Sequence, residues 1–484
     1  MKRAATVCLS SIVCVLSAAP FVACEDSSGS TSGGVFGTDA SPFNTPETGP
    51  QPQPDAADVD GFTPPVDAGQ DAAPADSVTV VVTKDGAPDP GVTVLFQSSA
   101  GAILATVVSG ADGKATNKVT AGDQITVALG AVNNRRLVTY LGVKPGDVLD
   151  VVEQTTRFLS ITMAMNNPGG GISIAAGNFD CSTNAASSGS AVGINLLPEC
   201  ITGPVFPVMG TLPFNLQTYY SFKKDITPAA SGTTTISGMS PWAVGTAYTL
   251  NVTNAPNLTG VQASLGQIAN NQSFGTAPQT NLTLTAGAGT APFVVATGYA
   301  DAYQGDVQFV NFFGGYQQVR SFSKRFPAGT TQTLDMTAGV LPDLLTVIAD
   351  NSAPARPVLT WTAGAALTGA DSGVATMTFT QPIAGGGSEQ IAWTFLVPPG
   401  TLSVTAPELP ASLAAFAPSA ASTMGPPGVA FFESDLVSGY DFVRAHADAF
   451  GLGKVPIGIF SGATIPGLPA VGTLRITALQ GGGG

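Results

Sequence analysis

Short runs of β-branched and aromatic residues, separated by Gly, Pro, Asn and Asp, recur along the chain from residue 77 onwards. They include SVTVVVT at 77–83, GVTVLFQ at 91–97, DQITVAL at 123–129 and QIAWTFLV at 390–397. Runs of this length and composition predict short strands joined by turns. No stretch sustains the apolar stripe of an amphipathic helix, and ASLAAFAPSAAS at 411–422 is the best candidate for a short helix.

The pattern predicts a mainly β protein, built from tandem antiparallel β-sandwich domains of the Ig-like type. About 400 residues follow position 76, which is too many for one sandwich of roughly 100 residues. We therefore expect three folded segments, at 77–155, 156–340 and 341–484.

The residues before the first predicted strand have a different character. Lys2 and Arg3 precede residues 4–22, which are apolar and carry no charge. This arrangement predicts a signal peptide over 1–23, too short to serve comfortably as a membrane-spanning helix. Cleavage by the ordinary signal peptidase is disfavoured at both small-residue sites. After Ala19 the next residue is Pro20, which obstructs cutting, and for a cut after Ala23 the bulky Phe21 stands three positions before the bond, where a small side chain is preferred.

Phe21-Val22-Ala23-Cys24 instead resembles a bacterial lipobox. In lipoproteins of this type the cysteine thiol is acylated with diacylglycerol before cleavage in front of it. The resemblance implies a cell-envelope protein that is anchored in the outer membrane, on its periplasmic or its outer side, by lipid on Cys24. Phe21 departs from the Leu that is usual at this position, so a secreted protein without lipid and a retained signal anchor remain alternatives.

Residues 24–76 form a predicted disordered tether rich in Pro, Gly, Ser, Ala and Asp. The tether carries ten acidic residues and no Lys or Arg, and it has too few aliphatic side chains to offset the entropy of ordering. Of the overall charge of −14, the tether supplies −10 and the signal peptide +2, which leaves −6 for residues 77–484. This balance argues against nucleic acid as a partner and against a polybasic membrane patch.

The tether contains one pattern that resembles a calcium loop, DAADVDG, with Asp55, Asp58, Asp60 and Gly61. Calcium loops of the EF-hand type need oxygen ligands at alternating positions and a closing Glu. Here the first gap is three residues and no acid follows at the closing position. An acidic spacer is the better interpretation, and we predict neither a metal site nor a cofactor.

Residues 77–153 resemble the carboxypeptidase regulatory-like and bacterial Ig-like modules. The resemblance rests on KDGAPDPGVTVLF, SGADGKAT and AGDQITVAL. In those families a strand, a Gly-Pro turn, a second strand, an Asp-Gly-Lys hairpin and a further strand follow one another. The resemblance covers less than a fifth of the chain and implies a β-sandwich without catalytic residues.

Cys181 and Cys200 are the cysteines left after the signal peptide and Cys24 are set aside. In an oxidising compartment we expect them to form a disulfide that closes the loop between them. In the entropic interpretation such a loop contributes about 3 kcal/mol. A metal site is the alternative, but two sulfurs without a nearby His fall short of a zinc shell.

Trp361 and Trp393 lie in alternating strand contexts. They could be exposed platforms for sugar rings, but buried sandwich aromatics are more common.

An enzyme needs a catalytic site, and this sequence offers few candidate residues for one. His446 is the single histidine, and a hydrolase triad would need it as the base. The sequence GMSPW around Ser240 lacks the closing Gly of a nucleophile elbow and places Pro241 where the helix must begin. Ser438 and Asp441 are near His446 in sequence only. We interpret His446 as structural and predict no catalytic residue.

The favoured hypothesis is therefore a non-enzymatic, lipid-anchored cell-envelope protein whose β-sandwich array binds or displays a glycan or another envelope protein. The alternatives are an envelope hydrolase acting on carbohydrate or peptide, and a scaffold subunit of a surface assembly.

Overall fold

The structure is a computed structural model in which residues 76–84, 87–132, 135–153, 159–164, 174–176, 185–187, 191–196, 205–214, 217–227, 233–270, 272–382, 386–435, 437–447 and 472–481 are described. It is mainly β, with several antiparallel sheets, which confirms the predicted fold class. In the described part of the chain no helix is long and apolar enough to cross a membrane.

The strands are short and follow one another closely along the chain. Residues 77–155 form β1 (Ser77–Lys84), β2 (Ala87–Pro88), β3 (Thr93–Gln97), β4 (Ile103–Val108), β5 (Lys114–Lys118), β6 (Asp123–Leu129), β7 (Arg136–Val143) and β8 (Val148–Glu153). Residues 156–340 form β9 (Leu159–Ala164), β10 (Ile174–Ala176), β11 (Ala185–Ser187), β12 (Ala191–Leu196), β13 (Phe206–Phe214), β14 (Gln217–Ile226), β15 (Thr233–Ile236), β16 (Ala243–Val244), β17 (Thr246–Thr253), β18 (Val261–Ala269), β19 (Gln272–Asn281), β20 (Gly289–Val295), β21 (Ala302–Phe313), β22 (Tyr316–Pro327) and β23 (Thr331–Asp335). Residues 341–484 form β24 (Leu344–Asp350), β25 (Val358–Ala363), β26 (Ser372–Pro382), β27 (Ser388–Val397), β28 (Ser403–Thr405), β29 (Thr423–Met424), β30 (Gly428–Ser434), α1 (Tyr440–Ala445) and β31 (Gly472–Gly481).

One large sheet takes strands from all three segments. It has thirteen strands in the order β19-β18-β21-β22-β31-β30-β26-β27-β7-β6-β3-β4, with β29 beside β26. Neighbours along this order are antiparallel except β7 and β27, which run parallel with a register from Arg136↔Ala392 to Tyr140↔Leu396. The β7–β27 pair therefore joins residues 77–153 to residues 341–481.

The central strands of the large sheet are buried on both faces. On β30, Ala430 and Phe432 belong to a first hydrophobic core, whereas Val429 and Phe431 belong to a second. Side chains of successive strand residues point to opposite faces. A strand covered on both faces has no solvent-facing side, which explains the nearly continuous apolar runs of β27 and β30.

Smaller sheets build the cores against this large sheet. The first core lies under the sheet β2-β1-β5, in which β8 also pairs with β1, and the second under the sheet β24-β25-β28. A third core forms around β13 and β14, and a fourth under the sheet β20-β17-β23. The remaining sheets have the orders β11-β10-β13-β14-β16 and β12-β9-β15.

Two local expectations need correction. The Asp112-Gly113 turn does not close a β-hairpin, because β4 pairs with β3 in the large sheet and β5 pairs with β1 in the facing sheet. Gly113 has φ +73°, and a Cβ there would collide with the carbonyl oxygen of Val82. The predicted short helix is a 3-10 helix at Ala411–Phe416, while the α-helix α1 at Tyr440–Ala445 was not predicted.

Candidate functional site: a charged cleft beside the parallel strand pair

A turn at the end of β7 forms one wall of a cleft lined by residues from β7, α1 and the segment after β27. The backbone N–H of Lys144 donates to Asp147 Oδ2 at 2.7 Å, and the N–H of Asp147 donates to the carbonyl of Lys144 at 3.1 Å. Gly146 has φ +91° and donates from its N–H to the carbonyl of Ser77 at 2.7 Å. The sequence Lys-Pro-Gly-Asp thus folds as a tight turn held against the start of β1.

The helix α1 forms the opposite wall and closes the end of the β7–β27 pair. The hydroxyl of Tyr440 lies 2.7 Å from the carbonyl oxygen of Leu141 and 3.0 Å from that of Leu396. The last pairing of the parallel strands is Tyr140↔Leu396, so Leu396 belongs to this pairing and Leu141 directly follows it. The single proton of the phenol is therefore shared between two backbone acceptors where the parallel pairing ends, and burial raises the pKa of its hydroxyl.

Arg444 is the buried charge of the site. Its side chain is only 1% exposed, and Nη1 donates to the carbonyl of Gly142 at 2.8 Å. Nη2 lies 2.7 Å from Asp147 Oδ2 and 3.1 Å from Asp441 Oδ1. The guanidinium carbon also lies 5.1 Å from the centre of the Tyr440 ring. A buried guanidinium needs such partners, because desolvation penalises an unpaired charge.

Asp441 links this buried pair to the surface. Lys144 Nζ donates to Asp441 Oδ2 at 2.6 Å, and both side chains are about half exposed. The hydrogen bond from Lys144 holds the pKa of Asp441 below its usual range, and the charge of Arg444 acts in the same direction. The four charges balance, so the cleft carries no strong field of either sign.

The cleft has a volume of about 400 Å³ and is lined by Gly142, Lys144, Pro398, Ser438, Tyr440, Asp441 and Arg444. It offers the hydroxyl of Ser438, the half-exposed ammonium of Lys144 and the half-exposed carboxylate of Asp441. This set suits hydrogen bonding to a small polar group better than recognition of a strongly charged one.

The structure places the candidate catalytic residues in separate surroundings. Ser240 contacts β14: its Oγ accepts the N–H of Phe222 at 2.9 Å and its carbonyl accepts the hydroxyl of Ser221 at 2.6 Å. His446 stacks on Phe442 with ring centres 4.5 Å apart, and its Nδ1 lies 2.9 Å from the carbonyl oxygen of Phe442. Since a carbonyl only accepts, Nδ1 carries a proton there.

Asp441 uses its carboxylate on Lys144 and Arg444, as described above. Of the residues considered for hydrolysis, Ser438 and Asp441 line the cleft. Their described partners give no Ser–His–Asp relay.

The two strand tryptophans are core residues. Trp393 is fully buried, with its ring stacked on Phe395 at 5.5 Å between centres. Trp361 is 2% exposed and lies 6.1 Å from the ring of Phe431. Both rings belong to the second core, so neither is a platform for sugar rings.

Cys24, Cys181, Cys200 and the tether pattern at Asp55, Asp58, Asp60 and Gly61 lie outside the described residues. Acylation of Cys24 and the Cys181–Cys200 disulfide therefore remain predictions. Within the described ranges no three His, Cys, Asp or Glu side chains group as metal ligands.

Sequence reasoning missed the site that the Lys144–Asp147 turn forms with Tyr440 and Arg444. The contacting residues are about 300 positions apart in the chain. Because α1 was not predicted, nothing in the sequence indicated that Arg444 would pair with this turn.

Comparison with known proteins identifies no family. No protein-family model matches the sequence, and no curated protein sequence is significantly similar to it. Solved structures with some similarity include the TIE protein of Bacillus anthracis, at 12% identity over 54% of this chain and 49% of that one, with a TM-score of 0.15. The chain thus spans about half the length of that protein.

Two further solved structures are similar at the same level. A candidate adhesin of Bacteroides ovatus matches at 10% identity over 49% of this chain and 79% of that one, with a TM-score of 0.13. The FN1–FN3 domains of chicken CNTN1 match at 8% identity over 66% and 91%, with a TM-score of 0.12. At these TM-scores the similarities carry no argument about function.

Proposed function

We propose that this protein is a non-enzymatic, lipid-anchored cell-envelope protein whose β-sandwich body binds or displays another envelope component. The anchor is diacylglycerol on Cys24, within Phe21-Val22-Ala23-Cys24, and residues 24–76 hold the body away from the lipid surface. Several acyl chains on one cysteine bury enough CH₂ groups, at about 0.8 kcal/mol each, for stable membrane attachment.

The continuous large sheet is the observation that carries the proposal. Strands from all three segments pair in it, and cores on both faces hold it in one arrangement. Such a body presents its loops and the cleft at Lys144 and Asp441 at fixed separations, as display or binding requires. The chemistry of the cleft supports binding of a small polar group, since its charged side chains already pair with one another.

A second candidate function is a scaffold subunit of a surface assembly. The burial of Trp361 and Trp393 favours it over glycan binding, because these two rings are the aromatic platforms that the sequence offered for sugar. Under this alternative the partner is another envelope protein.

The decisive experiment measures the intact mass of the mature protein and its exposure on whole cells. We expect a mature chain that begins at Cys24 and is heavier by the mass of a diacylglycerol and, in a fully processed form, a further acyl chain. The matched control is Cys24→Ser, which should lack this mass and leave the membrane fraction. Protease shaving of intact cells then distinguishes the outer side of the membrane from the periplasmic side. An unmodified mature chain would refute the anchor.

A further inference from the structure

The last described strand, β31, lies in the middle of the large sheet. On one side it pairs with β22, from Tyr316↔Gly481 to Arg325↔Gly472. On the other it pairs with β30, from Gly428↔Gln480 to Ser434↔Leu474. No described register pair joins β22 directly to β30. These two strands therefore form a groove, and β31 supplies hydrogen bonds to both of its edges.

The side chains of β31 fit this groove on both faces. Ile476 and Ala478 belong to the first core, and Leu479 belongs to the second. Arg475 Nε donates to Glu433 Oε2 at 2.5 Å, and its Nη1 donates to the carbonyl of Ala338 at 2.9 Å. The ion pair and the two apolar faces together specify both the identity and the register of the strand that the groove accepts.

The connection to β31 is long. Residues 448–471, which separate Ala447 from Gly472, number 24 and include five Gly and three Pro. Twenty-four residues can reach at most about 80 Å when fully extended. This is enough to place β31 in the groove of an adjacent molecule as well as in its own.

We propose that β31 is exchangeable between molecules, so that the groove between β22 and β30 accepts the β31 strand of a second copy of this chain. The exchanged strand makes the same backbone and side-chain contacts as the strand in its own molecule, as in domain swapping. This assembly does not depend on the lipid anchor or on the cleft, and it goes beyond the proposed function.

The balance between the two arrangements is set by concentration. Because the contacts are identical, insertion within one molecule is favoured only by the effective concentration that the covalent connection provides. Exchange should therefore increase when chains fold close together. Once formed, it should persist, because release requires the loss of pairing on both sides of β31.

The test uses two full-length variants that are expressed together in the same cells. One carries Val319→Cys on β22 and the other Ala478→Cys on β31, at positions directly opposite each other in the sheet. These positions lie within disulfide reach only if β31 of one molecule occupies the groove of the other. A single chain with both substitutions shows that the pair can be oxidised within one molecule.

The matched control is Val374→Cys in one chain and Ala430→Cys in the other, an opposed pair on the interior strands β26 and β30. We expect at least tenfold more intermolecular disulfide for the 319/478 pair than for this control, identified by mass spectrometry of the joined peptides. Crosslinking at the control level, while the double variant closes its internal disulfide, would overturn the proposal.

Discussion

The indole nitrogen of Trp393 donates a hydrogen bond to the hydroxyl of Thr139 across 2.9 Å, in the buried interior between β27 and β7. From Thr139 the chain of hydrogen bonds continues to Thr126 Oγ1 at 2.9 Å and from Thr126 to Gln97 Oε1 at 2.8 Å. Gln97 Nε2 then donates to the carbonyl of Glu408 at 2.8 Å. Because Thr126 donates its single hydroxyl proton to Gln97, it accepts from Thr139, so each hydroxyl accepts from the preceding residue of the network and donates to the next.

This network fixes residues 77–153 against residues 341–481, since it begins at Trp393, crosses three strands of the first segment and ends at Glu408. Thr139→Val removes the acceptor of the indole and leaves a buried donor unpaired. We expect a loss of about 2 kcal/mol in the free energy of unfolding, measured by urea denaturation.

A double-mutant cycle with Trp393→Phe separates this hydrogen bond from packing. The double variant should lose less free energy of unfolding than the two single variants lose together, with a coupling energy of about 1 kcal/mol between the two positions. Thr360→Val, at an exposed position of β25, is the control and should change stability by no more than about 0.5 kcal/mol. Additive single effects would contradict a direct bond between Trp393 and Thr139.

Local pattern predicted much of the secondary structure. The runs at 77–83 and 123–129 are strands β1 and β6, because alternation and turn residues act over a few positions. Local pattern could not show that Arg136 pairs with Ala392, since a pairing between positions that distant leaves no nearby signal. The nearly continuous apolar runs of β27 and β30 did indicate that both faces are covered.

The cleft was harder to predict than the strands. Asp147 had a local role, as the residue that completes a turn, and this role was readable from the sequence. Its second role, pairing with the guanidinium of Arg444, depends on how α1 packs on β7. Charged residues are sparse in this chain, and the sequence does not specify which acidic residue pairs with which basic one.

At the cleft the buried Arg444 pairs with Asp147 and Asp441, and the half-exposed Lys144 pairs with Asp441; the contributions of the buried and the exposed pairs should differ. Asp147→Asn removes the charge nearest the buried guanidinium of Arg444, and we expect the free energy of unfolding to decrease by about 3 kcal/mol. Lys144→Ala removes a half-exposed partner of Asp441 and should cost less than about 1 kcal/mol. Urea denaturation of both variants measures the difference. Equal losses would mean that the guanidinium is solvated.

Tryptophan fluorescence should report the burial of the strand tryptophans. Trp361 and Trp393 are shielded from solvent, whereas Trp242 is half-buried. We expect iodide to quench only the fraction of the emission that arises from Trp242. In Trp242→Phe the remaining emission should resist iodide until the protein is unfolded. Strong quenching of that variant in the native state would place one of the strand tryptophans at the surface.

Asp306 should make stability decrease as the pH rises. It is a buried carboxyl on β21, and burial raises its pKa to about 6, although the hydrogen bond from Ser323 lowers it in part. Between pH 4 and 6 the folded chain therefore holds a proton that the unfolded chain has released. A state that binds more protons loses stability as protons become scarce, so the native protein is weakened across this range.

Asp306→Asn removes the titration and keeps a side-chain oxygen that can accept the Ser323 hydroxyl, which bonds Asp306 Oδ1 at 2.6 Å. From pH 4 to pH 7.5 the free energy of unfolding of the variant, relative to that of the native chain, should increase by up to about 3 kcal/mol. Urea denaturation at both pH values measures this difference. Asp335→Asn is the control of opposite sign, because hydrogen bonds from Asn254 and Thr337 lower the pKa of Asp335. A pH-independent effect of Asp306→Asn would show that the carboxyl is ionised in the folded protein as readily as in the unfolded one.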